Sequence, residues 1–214
     1  MDIDHIFIFT NDNGQVADEL IDFGFTEGSS RVHTGQGTTN RKFYFESFFL
    51  EILWVHDESE IKSDSIKPTG LWQIADYQVN SFSRFGLCIT NTLETNQVFK
   101  NAFKYQPPYF PQGMTIDILK NAAHPTLPWT FRLPLDRKLR NKAEPTNHSN
   151  GIKVLTSAIF EYKGSSDNKF NDFFKNEAKI GFKRTERSWL NLTFDNAQRG
   201  GRRVFKNLDL TIDF

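Results

Sequence analysis

Two polar side chains interrupt runs in which strand periodicity calls for apolar residues: His5 within Ile3–Phe9, and Glu51 within Phe48-Phe49-Leu50-Glu51-Ile52-Leu53-Trp54. A carboxylate in the middle of such a run is costly to bury unless it is paired, hydrogen-bonded or bound to a metal. Strand alternation puts Glu51 on the face of Phe49 and Leu53, and His5 on the face of Phe7 and Phe9. On neighbouring strands the two would point into one concave surface. An imidazole and a carboxylate so placed suit a divalent ion such as Mn, Fe, Co, Ni or Zn. The same two side chains can equally form a buried hydrogen-bonded pair with no metal.

A second group lies in the loop from Thr34 to Arg41, Thr-Gly-Gln-Gly-Thr-Thr-Asn-Arg. Gly35 and Gly37 permit close backbone approach, and Arg41 carries the planar fork that grips a carboxylate or phosphate. Without Gly-Lys-Ser/Thr, and with no helix opening after it, the loop is not a phosphate-binding P-loop. Arg41 serves either a ligand or a local ion pair. His33 is a solvated loop histidine or a proton carrier facing a substrate. His148 sits in the turn Asn147-His148-Ser149-Asn150-Gly151 and is a candidate to face a cleft, whereas His56 and His124 read as solvated. Cys88, inside an apolar run, reads as a buried inert thiol.

The elements that must position these residues follow from periodicity. Ile3–Phe9 is a strand, and Val16, Leu20 and Phe23 have helical spacing that ends at Gly24. Weak strand character around Arg31–His33, then Lys42–Phe45 and Phe48–Val55, completes a β-α-β-β-β unit. A polar connection spans 58–80. A second strand and helix are expected at Phe85–Thr90 and Leu93–Phe103, followed by strands Met114–Leu119 and Trp129–Leu133 and a loop Leu135–Asn150. A third copy is expected to begin at Leu155–Tyr162, with a helix at Asp167–Lys175 and strands Trp189–Phe194 and Leu208–Phe214. Its Gly181-Phe182 parallels Gly24-Phe25. The fold class is therefore α+β: tandem βαβββ modules forming a curled mixed-sheet cup with helices outside. Residues 1–57 form the first module, 58–80 a linker and 81–214 a larger part built of repeated units, all within one continuous domain.

Composition narrows the partners. Lys plus Arg and Asp plus Glu are both 26, so the chain lacks the basic surplus of a nucleic-acid binder. No apolar run is long enough to cross a bilayer. A single cysteine fits a reducing compartment, and the cytoplasm is the expected address. The expected partner is a small molecule, with no nucleic acid and no membrane, for a monomer or homodimer. Phenylalanine, at 22 of 214 residues in a chain of mean hydropathy -0.52, must concentrate on inner faces.

Asp4-His5 opening a strand, a helix ending at Gly24-Phe25, the loop His33–Arg41 and the strand Phe49-Leu50-Glu51-Ile52-Leu53 together resemble the glyoxalase-like branch of the vicinal oxygen chelate superfamily. Pro128-Trp129-Thr130-Phe131 and Asn147–Ile152 resemble its later landmarks. The resemblance implies an eight-stranded cup around a site, with His5 and Glu51 as ligands of a divalent metal (Zn, Ni, Fe or Mn). A second ligand pair would come from the partner module. Its first strand offers Phe85 and Gly86, or Ser157 in the third copy, with no histidine, and Asp209 is the one carboxylate at an equivalent position. Two functions are implied. One is a metal-dependent enzyme of lyase, isomerase or dioxygenase type acting on vicinal oxygens. In it His5, Glu51 and Asp209 would be ligands, His33 or Glu161 proton carriers, and Phe7, Phe49, Arg41 and His148 substrate contacts. The other is a metal-free protein that sequesters a small molecule.

Overall fold

The computed structural model describes residues 1–119, 123–134, 143–164 and 168–214. The strands β1 (Ile3–Phe9), β2 (Val32–His33), β3 (Thr38–Tyr44) and β4 (Phe49–Val55) form the first module. The strands β5 (Phe85–Ile89), β6 (Phe103–Tyr105), β7 (Ile116–Ile118) and β8 (Trp129–Arg132) form the second. They join in one curled sheet of eight strands, ordered β2-β3-β4-β1-β5-β8-β7-β6. Within each module the first strand pairs parallel with the last, β1 with β4 and β5 with β8. The two first strands meet antiparallel at the centre. This is the expected pair of modules around a cup.

The short helix α1 (Asp18–Asp22) continues a 3-10 turn and buries Leu20 under the sheet, and Gly24, at φ 108°, takes the turn that frees the chain from the helix. The expected helix at Leu93–Phe103 is a single 3-10 turn, Glu94–Asn96, running on toward β6. Thr95 accounts for part of this, since its hydroxyl bonds the carbonyls of Thr90 and Thr92 and so competes with helical backbone bonding. Leu93 is 89% exposed while Val98 and Phe99 are buried in the core, so only the later part of the segment docks.

The third copy also differs from expectation. Strands β9 (Leu155–Tyr162), β10 (Ile180–Arg184), β11 (Trp189–Phe194), β12 (Arg202–Phe205) and β13 (Leu210–Asp213) form a separate sheet ordered β10-β9-β11-β13-β12. The Gly-Phe that suggested a helix end lies inside β10, parallel to β9, with helix α4 (Asn168–Phe174) between them. Part of the loop expected at Leu135–Asn150, residues 135–142, lies outside the described residues.

The second sheet covers one face of the first. Ile6, Ile8, Leu50, Ile52 and Leu87 join Leu155, Phe160, Leu190 and Leu210 in one buried core. The other face, carrying Phe7, Phe9, Leu53, Cys88, Trp129 and Phe131, forms a second apolar cluster. Two short helices, α2 (Glu58–Ile61) and α3 (Leu71–Ala75), insert Ile61, Leu71 and Ile74 into it. The 58–80 connection thus closes part of the cup. Among the described residues no helix is long and apolar enough to cross a membrane.

Candidate functional site

The concave face encloses a cavity of about 170 Å³ lined by His5, Phe7, His33, Phe49 and Glu51 together with Arg31, Asn40, Lys42, Tyr109, Trp129 and Phe131. His5 and Glu51 are both buried, at 5% and 6% exposure, which is why their partners matter. The parallel register sets His5 beside Phe49 and Phe7 beside Glu51, so alternation alone delivers both side chains to this face.

A backbone irregularity completes the arrangement. The β1–β5 register shifts between Ile3 and His5, making Asp4 the extra residue of a bulge. The bulge reverses strand parity: Ile3 joins the core on the covered face, while His5 and Phe7 face the cup. It also lets Asp4 reach its neighbour, accepting a hydrogen bond from His5 Nδ1 at 2.6 Å. On the other side of the ring, His5 Nε2 lies 3.7 Å from Glu51 Oε2, beyond hydrogen-bond distance. The imidazole stacks on Phe49 at 4.2 Å and meets Phe131 edge-on at 5.3 Å. Asn40 donates to Glu51 Oε1 and fixes that carboxylate.

Since the Asp4 carboxylate accepts, Nδ1 carries a proton, and in the neutral imidazole Nε2 then presents a lone pair. In that tautomer Nε2 and Oε2, both acceptors, face each other in a buried place with no donor between them among the described residues. Such a gap is stabilised by a cation or by a shared proton. Cys88, opposite His5 in the register, brings its thiol close to Asp4 and His5, and this trio can also hold a metal. At 2.6 Å, however, the Asp4–His5 contact is a hydrogen bond. That favours Asp4 as the partner that orients the ring.

The remaining sequence candidates separate into two groups. His33 lines the cavity, stacks on Tyr109 at 5.7 Å, and pairs through Nδ1 with the Thr38 hydroxyl at 2.9 Å. Burial holds its pKa below the ordinary imidazole value, with Glu51 opposing the shift and Arg31 and Lys42 adding to it. Phe7 and Phe49 are in the wall, as their strand faces require.

Arg41, Glu161, His148 and Asp209 are not brought to this cavity. Alternation turns Arg41 to the opposite face of β3 from Asn40 and Lys42, where it grips Glu27 at 2.6 and 2.8 Å and Asp18 at 2.7 Å. Those bonds, Glu27 first, hold its pKa above the ordinary arginine value. Glu161 belongs to the second sheet and bonds Arg187 and Asn191. His148 is a structural bridge, accepting from the Thr26 N–H and donating to the Tyr44 carbonyl, each at 2.9 Å. Asp209 precedes β13 in a left-handed conformation, φ 50°, and pairs with Arg84 at 3.1 Å. It is not a neighbour of Glu51, because its sheet lies against the other face.

Sequence reasoning missed Asp4 as the partner of His5, and also Arg31, Asn40, Lys42 and Tyr109. Asn40 and Lys42 could have been found by extending β3 back to Thr38, since alternation then shares their face. Tyr109 arrives from a proline-rich segment of the second module and bonds Gln36 across the cup at 2.7 Å, a contact no local pattern encodes.

Residues 3–166 match a family described as glyoxalase-like domain. No curated protein matches the chain. Among solved structures, a hypothetical protein from Staphylococcus aureus is 11% identical, with 98% of each chain covered and a TM-score of 0.59. A hypothetical protein from Bacillus halodurans is 13% identical over 67% of this chain and 98% of its own, with a TM-score of 0.41. A variant of 4-hydroxymandelate synthase from Streptomyces coelicolor is 11% identical over 99% of this chain and 61% of its own, with a TM-score of 0.47. The first of these shares the fold.

Proposed function

Because the chain belongs to the glyoxalase-like domain family, within the vicinal oxygen chelate superfamily, we propose that it is an enzyme acting on a small molecule in the cup, with a divalent metal held by His5 and Glu51. The observation that carries this reading is the buried pair of facing ligand atoms, His5 Nε2 and Glu51 Oε2, 3.7 Å apart. The donor set fits the ion: an imidazole nitrogen and a carboxylate oxygen, both buried, with an aromatic wall excluding bulk water. A bound divalent ion would act as a Lewis acid on neighbouring oxygens of the substrate.

The chain's own residues supply the rest. Asp4 fixes the tautomer and orientation of His5. Asn40 restrains Glu51 through its other oxygen, and Phe49 braces the imidazole plane. His33, kept uncharged by burial, is placed to accept a proton from a bound molecule.

A second reading, a metal-free binding protein, is favoured by one observation. The positions facing His5 and Glu51 from the second module are Gly86, Cys88, Trp129 and Phe131. A second histidine–carboxylate pair is absent among them. Metal content of protein purified without chelator separates the two readings. Close to one divalent ion per wild-type chain, lost in Glu51→Ala, supports the first. A metal-free wild type that takes up no ion on reconstitution, yet is stabilised by apolar ligands in the presence of chelator, establishes the second.

A further inference from the structure

The cavity has a charged side that neither the His5–Glu51 pair nor the aromatic wall explains. Arg31 and Lys42 both line it, on the side formed by β3 and the segment leading into β2. Elsewhere the arginines that approach a carboxylate are paired: Arg41 with Glu27, Arg84 with Asp209, Arg132 with Asp117, Arg187 with Glu161 and Arg202 with Asp213. Among the described residues, Arg31 and Lys42 have no acidic side chain within ion-pair distance, although Lys42 is directly across the strand pair from Glu51.

Both are instead laid on aromatic rings. The Arg31 guanidinium carbon lies 4.6 Å from the centre of Tyr109, and its backbone N–H is tied to Asn40 Oδ1 at 2.8 Å. Lys42 Nζ lies 5.5 Å from the centre of Tyr44 and 6.0 Å from that of Phe49. Rings on this scale position a cation without neutralising it. Glu51 is hydrogen-bonded by Asn40 and Asp4 by His5, and neither carboxylate is within ion-pair distance of Arg31 or Lys42. The opposite wall, Phe7, Trp129 and Phe131, is apolar and aromatic, with Trp129 and Phe131 ring centres 4.7 Å apart.

Resting on the reading of the cup as a small-molecule site, we infer that its substrate is a small carboxylate with an apolar or aromatic body. Arg31 and Lys42 hold the carboxylate, and Trp129, Phe131 and Phe7 hold the body. A carboxylate matches the planar fork of Arg31, and the enclosed space suits a body of about one ring rather than a polymer.

The test titrates the full chain calorimetrically with benzoate and phenylacetate and with their neutral counterparts, benzamide and phenylacetamide. It compares wild type, Arg31→Met, Lys42→Met and, as a control cation on the other face of β3, Arg41→Gln. The acids are expected to bind at least tenfold more tightly than the amides. Arg31→Met and Lys42→Met should each abolish that preference while leaving amide affinity unchanged, which also reports that the variants are folded. Arg41→Gln should retain the preference. Equal binding of acids and amides overturns the carboxylate assignment and leaves the cavity reading standing. Binding of neither class overturns both. Acid binding that survives Arg31→Met and Lys42→Met but is abolished by chelator places the carboxylate on the metal and also overturns the assignment.

Discussion

Replacing His148 by alanine removes a strut, not a ligand contact. Its ring joins the segment after α1 to the end of β3 through two hydrogen bonds of 2.9 Å, to the Thr26 N–H and the Tyr44 carbonyl. It also packs against Phe25 and Phe45 at 5.0 and 4.5 Å between ring centres. Each lost bond is worth about 1 kcal/mol, and the space left by the ring adds a similar or larger amount. His148→Ala should therefore lose about 3 kcal/mol in urea unfolding, or about 6–12 °C in Tm for a chain of this length. The effect has an acid signature. Burial holds the His148 pKa below its ordinary value, so on acidification the unfolded chain takes up the proton first. The stability contribution is complete above about pH 6.5 and declines as pH falls through that value toward the folded-state pKa. Protonation also removes the acceptor for Thr26. His33, shifted in the same direction by burial, adds to the decline. The alanine variant should lose stability less steeply between pH 7.5 and 5 than wild type. A loss under about 1 kcal/mol, or an identical acid slope, would refute the strut, as would unchanged stability with weakened ligand binding in the cup.

Two further outcomes test the cup itself. A Cβ added at Gly86 would lie 2.0 Å from a carbon of the Phe7 ring, so Gly86→Ala should destabilise by about 1–3 kcal/mol in urea unfolding and weaken ligand binding as the ring is displaced. Retained stability would mean that the two central strands are not in this register. Asp4→Asn removes the carboxylate that orients His5, and should cost about 10–100-fold in divalent-metal affinity measured by competition with a chelating dye. Unchanged affinity would remove Asp4 from the site.

The paired modules were legible because the cup strands are short β-branched and aromatic runs bounded by turn residues, and His5 and Glu51 stood out as polar residues within them. The second sheet was not. Gly181-Phe182 looks like Gly24-Phe25 in isolation, and only the pairing of β10 with β9 distinguishes a strand from a helix end. Asp209 failed as a counterpart of Glu51 for the same reason, since equivalence by position in a repeat does not decide which sheet face a residue occupies. The bulge at Asp4 was hidden because simple alternation sends adjacent residues to opposite faces. Tyr109 lies far from Arg31 and Lys42 in sequence, and its convergence with them belongs to the tertiary fold.

The proposed site has a divalent ion on His5 Nε2 while Nδ1 remains bonded to Asp4. Nitrogen NMR of protein labelled at histidine, titrated with Zn2+, addresses it directly. The expected result is a stoichiometric shift at Nε2 of His5, retention of the protonated Nδ1 signal, and weakening of the response in Glu51→Gln. A silent His5, or a response confined to His33 or the other histidines, would contradict it.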